Sequence, residues 1–378
     1  MITADFIGFD ASLAGTIRGE LVRRGELSPD AILLNGSHTH FGPQAIRAWI
    51  ENAPQYADVS ERYIERLASL AVEAGLEALS AMRPARLSWG AGVALFVINR
   101  REFTDHGVVL GANPRGLADR TAPVLRIDDE LGNVRAVLFG AAAHCVTCVS
   151  HPLEINGDYA ASARIELERR YPGAQAMFIL GCAGDARPHP KGDKAHAAMH
   201  GAALAEEVSR VLESGTLNPV RGPLRTALDY ADLPLRHFET LEQLEAYAGE
   251  ASSHHRFFVD KALALMRDGK PIPRTYPAPF ALWNFGGDLA LVGYSGETLV
   301  DYVPLAERVL GPRRLWIAGY CNDKYGYLPS PKVLEEGGYE TRGLYCEIGL
   351  FTPEVFDVVA QSLERLKLAT EWTRAGVD

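Results

Sequence analysis

Two histidines one residue apart, His38 and His40, stand in NGSHTHFGP at positions 35–43, where an apolar run breaks off. Alternate residues of an extended backbone point to the same side, so the two imidazoles can converge on one centre, a zinc ion or a bound carbonyl compound. The plainer reading is a polar surface turn closed by Gly42-Pro43. Repetition of the pattern favours chemistry. His144 directly follows RAVLFGAAA (135–143), and Asp185 follows AMFIL (176–180). Glu297 lies just past LALVG (289–293), and Tyr320, Asn322 and Tyr325 follow RLWIAG (314–319). Ligand sites of open α/β sheets lie at the carboxyl ends of the strands.

A catalytic zinc takes three protein ligands and keeps one position open. His38, His144 and Glu297 offer two nitrogens and a carboxylate oxygen, and His40 would stand beside them to hold substrate or pass a proton. Each residue alone also has a structural reading: a histidine after a strand can brace backbone, and Glu297 can begin the helix that follows. Asn99-Arg100-Arg101, after VALFVI, either clamps an oxygen or is a solvated charge pair. GCAGDARPHP (181–190) either lets backbone approach a ligand or braces the site with Asp185 and Arg187 paired. Asp158 fits an N-cap. Cys145 and Cys148 form CVTC outside the early βαβ unit of a thioredoxin-like motif, and read as packing residues. No G-x-S-x-G elbow, P-loop or dinucleotide fingerprint is present.

Further strands are expected at FIGF (6–9), AILLN (31–35) and FALWNF (280–285). Helices are expected over 11–24, 59–79, 158–169, 194–213, 239–266, 297–309 and 353–368. This alternation predicts an α/β fold, a large mixed, mostly parallel sheet covered by helices on both faces. Gly286-Gly287 marks a hairpin. With 378 residues, 47% of them hydrophobic, the chain can build one large domain or two intimately packed ones. A formal charge of −10 opposes nucleic acid and anionic membrane as partners. No apolar run reaches the ~18 residues of a spanning helix, and MITADFIGFD lacks the features of a signal peptide. Five cysteines make no disulfide scaffold. A cytoplasmic location is the expectation, and assembly as a homo-oligomer stays open. TADFIGFD reads as a strand running into a loop, as if a preceding strand were missing.

Taken in order, SHTHFGP (37–43), Asn99-Arg100, AAHCVTCVSHPLEINGDYA (142–160), GCAGDARP (181–188), YSGE (294–297) and NDKYGYLPSP through GGYE (322–340) resemble the neutral/alkaline, non-lysosomal ceramidase family. The resemblance is to that family's large N-terminal α/β domain and spans essentially the whole chain. It implies a single catalytic domain over 1–378, short of the family's first strand-and-loop segment and without the C-terminal β-sandwich of larger members. It also implies a Zn2+ ion that activates water to cleave an amide. Carried over, the zinc ligands are His38, His144, Glu297 and a tyrosine; His40 and Arg100 contact substrate; Tyr345, one position out of register, assists at the scissile amide. The expected place of the metal-binding tyrosine is Leu334. Tyr339 is the expected substitute, with Tyr327 or water as the alternatives. With no export signal and an acidic chain, the substrate expected is an N-acyl compound smaller and more soluble than ceramide. Two rivals stand: a zinc-dependent ester, lactone or carbohydrate-derivative hydrolase, and a non-catalytic binding protein with a degenerate metal site.

Overall fold

The apolar runs divide their side chains between different cores. In the strand Val134–Ala141, Val137 and Phe139 enter one core and Leu138 another; in Gln175–Leu180, Phe178 and Leu180 are separated in the same way from Ile179. Thr275–Phe285 repeats the pattern, with Phe280 and Leu282 in one core and Ala281 and Trp283 in another. Successive residues of a strand point to opposite faces, so each of these strands is buried on both sides. Leu125, Leu138 and Ile179 meet Trp283, Leu289, Leu291 and Trp316 in the shared inner core. Two sheets therefore pack face to face.

The structure, a computed structural model, describes the 378 residues apart from 51–52, 151–152, 313, 346 and 374–378. His151 and Pro152 of the 142–160 block thus lie outside the described residues. In chain order the strands are β1 Ile2–Ala4, β2 Leu34–Gly36, β3 Arg86–Val93, β4 Val97–Thr104, β5 Gly107–Asn113, β6 Thr121–Asp128, β7 Val134–Ala141 and β8 Gln175–Leu180. They continue as β9 Ala186–Pro188, β10 Asn218–Val220, β11 Leu224–Pro234, β12 Thr275–Phe285, β13 Leu289–Gly293, β14 Glu297–Thr298, β15 Leu315–Ala318 and β16 Tyr327–Leu328. The helices are α1 Ala11–Gly25, α2 Arg47–Ile50, α3 Ala57–Ser80, α4 Asp158–Arg170, α5 Lys194–Glu213, α6 Leu241–Glu250, α7 Arg256–Arg267, α8 Tyr302–Leu310, α9 Pro331–Glu336 and α10 Val355–Ala369.

One sheet has the order β10-β3-β6-β7-β8 and is covered outside by α4 and α5; the other, β11-β12-β13-β15, is covered by α8 and α10. The fold is α/β and mixed, as expected. The single helix-covered sheet becomes two, each with helices on one face and the other sheet on its second face. Continuous apolar strands suit both arrangements, so their composition does not distinguish them. Antiparallel pairing dominates both sheets: β7–β8 and β13–β15 are parallel, and their other pairings run antiparallel. The hairpin at Gly286-Gly287 is present, with both residues at positive φ (58° and 83°).

Three expected elements change. FIGF is not a strand: β1 lies before it, paired with β2, and Phe6 to Phe9 form a buried loop ended by Asp10, which caps α1 at Leu13 N. The helix expected over 239–266 is broken into α6 and α7. His255, between them, bridges the Tyr247 hydroxyl (2.6 Å) and Thr341 Oγ1 (3.0 Å), which pins the break to the rest of the fold. The helix expected from 297 begins at Tyr302, because Glu297 pairs in parallel with Tyr327 as part of β14–β16. Among the described residues no helix is long and apolar enough to cross a membrane.

Candidate metal centre

The two sheets are stapled together by Asn35, at the end of β2. Its amide nitrogen donates to Gly319 O (2.8 Å) and its oxygen accepts from Leu180 N (2.9 Å), while Gly319 N donates to Leu180 O (3.1 Å). The carboxyl ends of β2, β8 and β15 therefore meet at one point, and the residues just beyond them share one neighbourhood.

His38 and His144 are fully buried there, and their Nδ1 atoms lie 2.7 Å from Ile7 O and Ala183 O. A carbonyl only accepts, so each Nδ1 carries the proton and each Nε2 is left with a bare lone pair. Both Nε2 atoms face Glu297 Oε2, at 3.3 Å from His38 and 3.2 Å from His144. His40 Nε2 is 3.2 Å from His38 Nε2, and the donor nitrogens of His38, His40 and His144 all lie within 4.8 Å of one another. Three bare acceptors turned toward one point repel unless a cation or a proton sits among them. The donor set of two or three imidazole nitrogens and one carboxylate oxygen suits zinc. These residues fit a divalent metal.

The electrostatics agree with that fit. Burial, and next the charge of Arg100, push the pKa of His144 down to about 3, so its ring is neutral at pH 7. Burial opposes the charge of Glu297, but the nearness of His38 and Lys324 outweighs it and holds the carboxyl well below its usual range. Lys324 Nζ stands 3.3 Å from Glu297 Oε1, on the side away from the histidines. The rings of Trp49 and Tyr345 each lie 4.4 Å from that ammonium. Loop 6–9 forms part of the wall: Ile7 O fixes His38, Phe9 O accepts from Lys324 N, and a Cβ on Gly8 (φ +135°) would stand 3.0 Å from Lys324 Cβ. His40 alone of the three histidines is exposed. Partial burial of its ring, followed by His38 and His144, holds its pKa well below the usual histidine value.

Arg100 is buried, which removes the solvated-pair reading. Its Nη2 donates to the Tyr327 hydroxyl (2.7 Å) and its Nε to Glu340 Oε1 (2.9 Å). Tyr327 bridges this group to the centre, with its ring stacked 6.5 Å from His144. Tyr345 packs against Tyr327 (5.9 Å) and Trp49 (6.0 Å), and Arg342 covers it at 4.9 Å. Tyr339 stands one step further out, with Tyr327 at 5.7 Å, His254 at 5.9 Å and Arg342 at 4.8 Å. Leu334 lines a cavity of about 520 Å³ with Arg236, Tyr247, His255 and Lys332, whose described walls include none of the cluster residues.

Asp185 and Arg187 are not paired. Asp185 accepts from Val300 N (2.9 Å) and Asn99 Nδ2 (3.1 Å), while Arg187 donates to Gly111 O because the short strand β9 turns it outward across β4 and β5. Asp158 opens α4 at φ +56° and accepts from Thr147 N, Thr147 Oγ1 and Cys148 N, so it ties the loop after His144 to the helix. Cys145 and Cys148 are buried free thiols, as expected of packing residues. Lys324 and Trp49 carried no sequence signal; a lysine inside NDKYGY reads as solvent-exposed.

No protein-family model matches the chain, and no curated protein sequence does. Solved structures do. The neutral ceramidase from Pseudomonas aeruginosa superposes on 99% of this chain and 67% of its own, with a TM-score of 0.71 at 17% identity. A ceramidase complexed with C2 superposes on 100% of this chain and 68% of its own, with a TM-score of 0.72 at 16% identity. Over its whole length, the chain has the fold of the neutral ceramidases.

Proposed function

We propose that this protein is a zinc-dependent hydrolase that cleaves the amide bond of small, soluble N-acyl compounds with water. The observation that carries this reading is the convergence of His38 Nε2, His144 Nε2 and Glu297 Oε2, each bare and each within 3.3 Å of a neighbour in the set. These three residues would hold the metal. Bound there, zinc would make water a nucleophile near neutral pH and polarise the carbonyl it attacks. The ceramidase fold supports amides as the bond class.

The chain's own residues supply the remainder. His144 and His38 are kept in the ligating tautomer by Ala183 O and Ile7 O. Lys324 holds the second oxygen of Glu297, so the carboxylate offers one oxygen to the centre. His40, open to solvent and in contact with His38, is placed to carry a proton between the cluster and the outside. Arg100 fixes the Tyr327 hydroxyl beside His144. Tyr345, with Trp49 and Tyr327, supplies aromatic walls against which an acyl group can pack. Tyr339 belongs to this outer aromatic group and would act on the centre through Tyr327.

Elemental analysis of protein purified without added metal or chelator tests the reading. About one zinc per chain is expected, lost in a His38→Ala, His144→Ala variant. A folded protein that takes up no zinc would sink it. With zinc present, a panel of N-acyl amino acids against matched esters and lactones identifies the bond cleaved.

A further inference from the structure

Several buried polar atoms of this neighbourhood have no hydrogen-bond partner among the described residues, Ser37 Oγ, Asn322 Nδ2 and Asp323 Oδ1 among them, and one stands against the His38 ring itself. The hydroxyl of Tyr320 is buried and has no hydrogen-bond partner among the described residues. Its ring is fully buried, 4.6 Å from the His38 ring at a tilt of 44° and 6.0 Å from His144. A buried hydroxyl without a partner has lost its hydration with nothing in exchange, which destabilises the fold. The backbone adds to that cost, because Tyr320 sits at φ +57°, a left-handed conformation that bulky side chains rarely adopt. Phenylalanine would fill the same space without the unmatched oxygen. Glu297 and Arg100 are both near enough for their charges to act on the hydroxyl. It forms no hydrogen bond to the imidazoles or the carboxylate themselves. A small oxygen ligand between them and the phenol would satisfy it.

We infer that Tyr320 donates a hydrogen bond to the oxygen of the water held at the His38–His144–Glu297 centre. This rests on the metal-centre reading above. Tyr320 is then a catalytic residue: it orients the nucleophile and stabilises its deprotonated form. The bond is a donation only, and the phenol keeps its proton.

The test uses Co2+ as a spectroscopic stand-in for zinc. Visible absorption of the Co2+-loaded protein is followed against pH for wild type and Tyr320→Phe, together with Co2+ affinity and urea unfolding of both metal-free proteins. A hydrogen bond to a charged oxygen corresponds to roughly one pH unit or more, so the spectral midpoint of Y320F should move up by about one unit. Co2+ affinity should stay within roughly threefold, and metal-free Y320F should be at least as stable as wild type, since it loses only an unmatched hydroxyl. An unchanged midpoint with Co2+ bound would overturn the inference and leave the metal centre standing. A wild-type spectrum that does not respond to pH would also overturn it. Marked destabilisation of metal-free Y320F would show that the hydroxyl is paired structurally, with the same consequence. Failure of wild type to bind Co2+ or zinc would remove the centre, and the role of Tyr320 with it.

Discussion

Two clusters of buried charge share a wall at Tyr327 and are built on opposite principles. In the first, Arg100 and Arg101 meet Glu340 and Glu336. Arg100 Nε lies 2.9 Å from Glu340 Oε1, Arg101 Nη1 2.7 Å from Oε2, and Arg101 Nη2 3.1 Å from Glu336 Oε2, with Gly337 O and the Tyr327 hydroxyl accepting further donations. Donor faces acceptor at each of these contacts. In the second, His38, His144 and Glu297 turn acceptor toward acceptor, and Lys324 stands 3.3 Å from the other oxygen of the carboxylate. Both clusters are buried, Glu336 alone being partly exposed. A knot of matched charges is complete as it stands, and its effect is to fix the 336–340 turn against β4. A cluster of unmatched acceptors is completed only by something it binds. Burial and charge alone therefore do not identify a functional site; the mismatch does.

The largest effect should come from opening the matched knot. Glu340→Gln leaves two buried guanidiniums facing one neutral amide, and breaking a buried ion pair typically costs about 3–5 kcal/mol. Urea unfolding should show a loss of that size with zinc uptake retained. A loss below ~1 kcal/mol, in the range of surface pairs, would mean that the knot is not what holds the turn.

The converse applies to the unmatched cluster. Zinc at about 100 times its dissociation constant should raise wild-type stability by about 2.7 kcal/mol, through binding to the folded state alone. The His38→Ala, His144→Ala variant should gain nothing. Equal stabilisation of wild type and variant would place the zinc elsewhere and remove the distinction between the clusters.

The same contrast explains what could be read before the fold was known. His38, His144 and Glu297 were legible because each follows an apolar run, and such runs mark strand ends well. Glu340 does not stand out beside Tyr339, since GGYE presents both side chains alike and tertiary packing alone buries the acid. The division into two sheets was hidden because a strand covered by a helix and a strand covered by another sheet have the same apolar composition. Strands β3 and β5 carry few fully buried residues and gave no apolar run, while β11 buries Ala227, Ala231 and Leu233 at even spacing, a period-two signal that could have been found. Loop 6–9 reads as a strand because four apolar residues that pack under a site look like four that pack in a sheet.

Asp185 sharpens the comparison with the smallest effect. It is another buried acid, and its oxygens accept from Val300 N and Asn99 Nδ2, both uncharged donors. Burial pushes its pKa from the ordinary 3.8 up to about 7. Between those values the native protein holds a proton that the unfolded chain has released. Stability due to this group is therefore lost as pH rises, by at most about 1.4 kcal/mol per unit, until the native carboxyl also ionises near pH 7. Asp185→Asn removes the group, so the difference in stability between variant and wild type should shift in favour of the variant from pH 5 to pH 6 by about that amount. A difference that stays level would show that the two donors and the nearby Arg100 keep Asp185 ionised, and would join it to the matched knot.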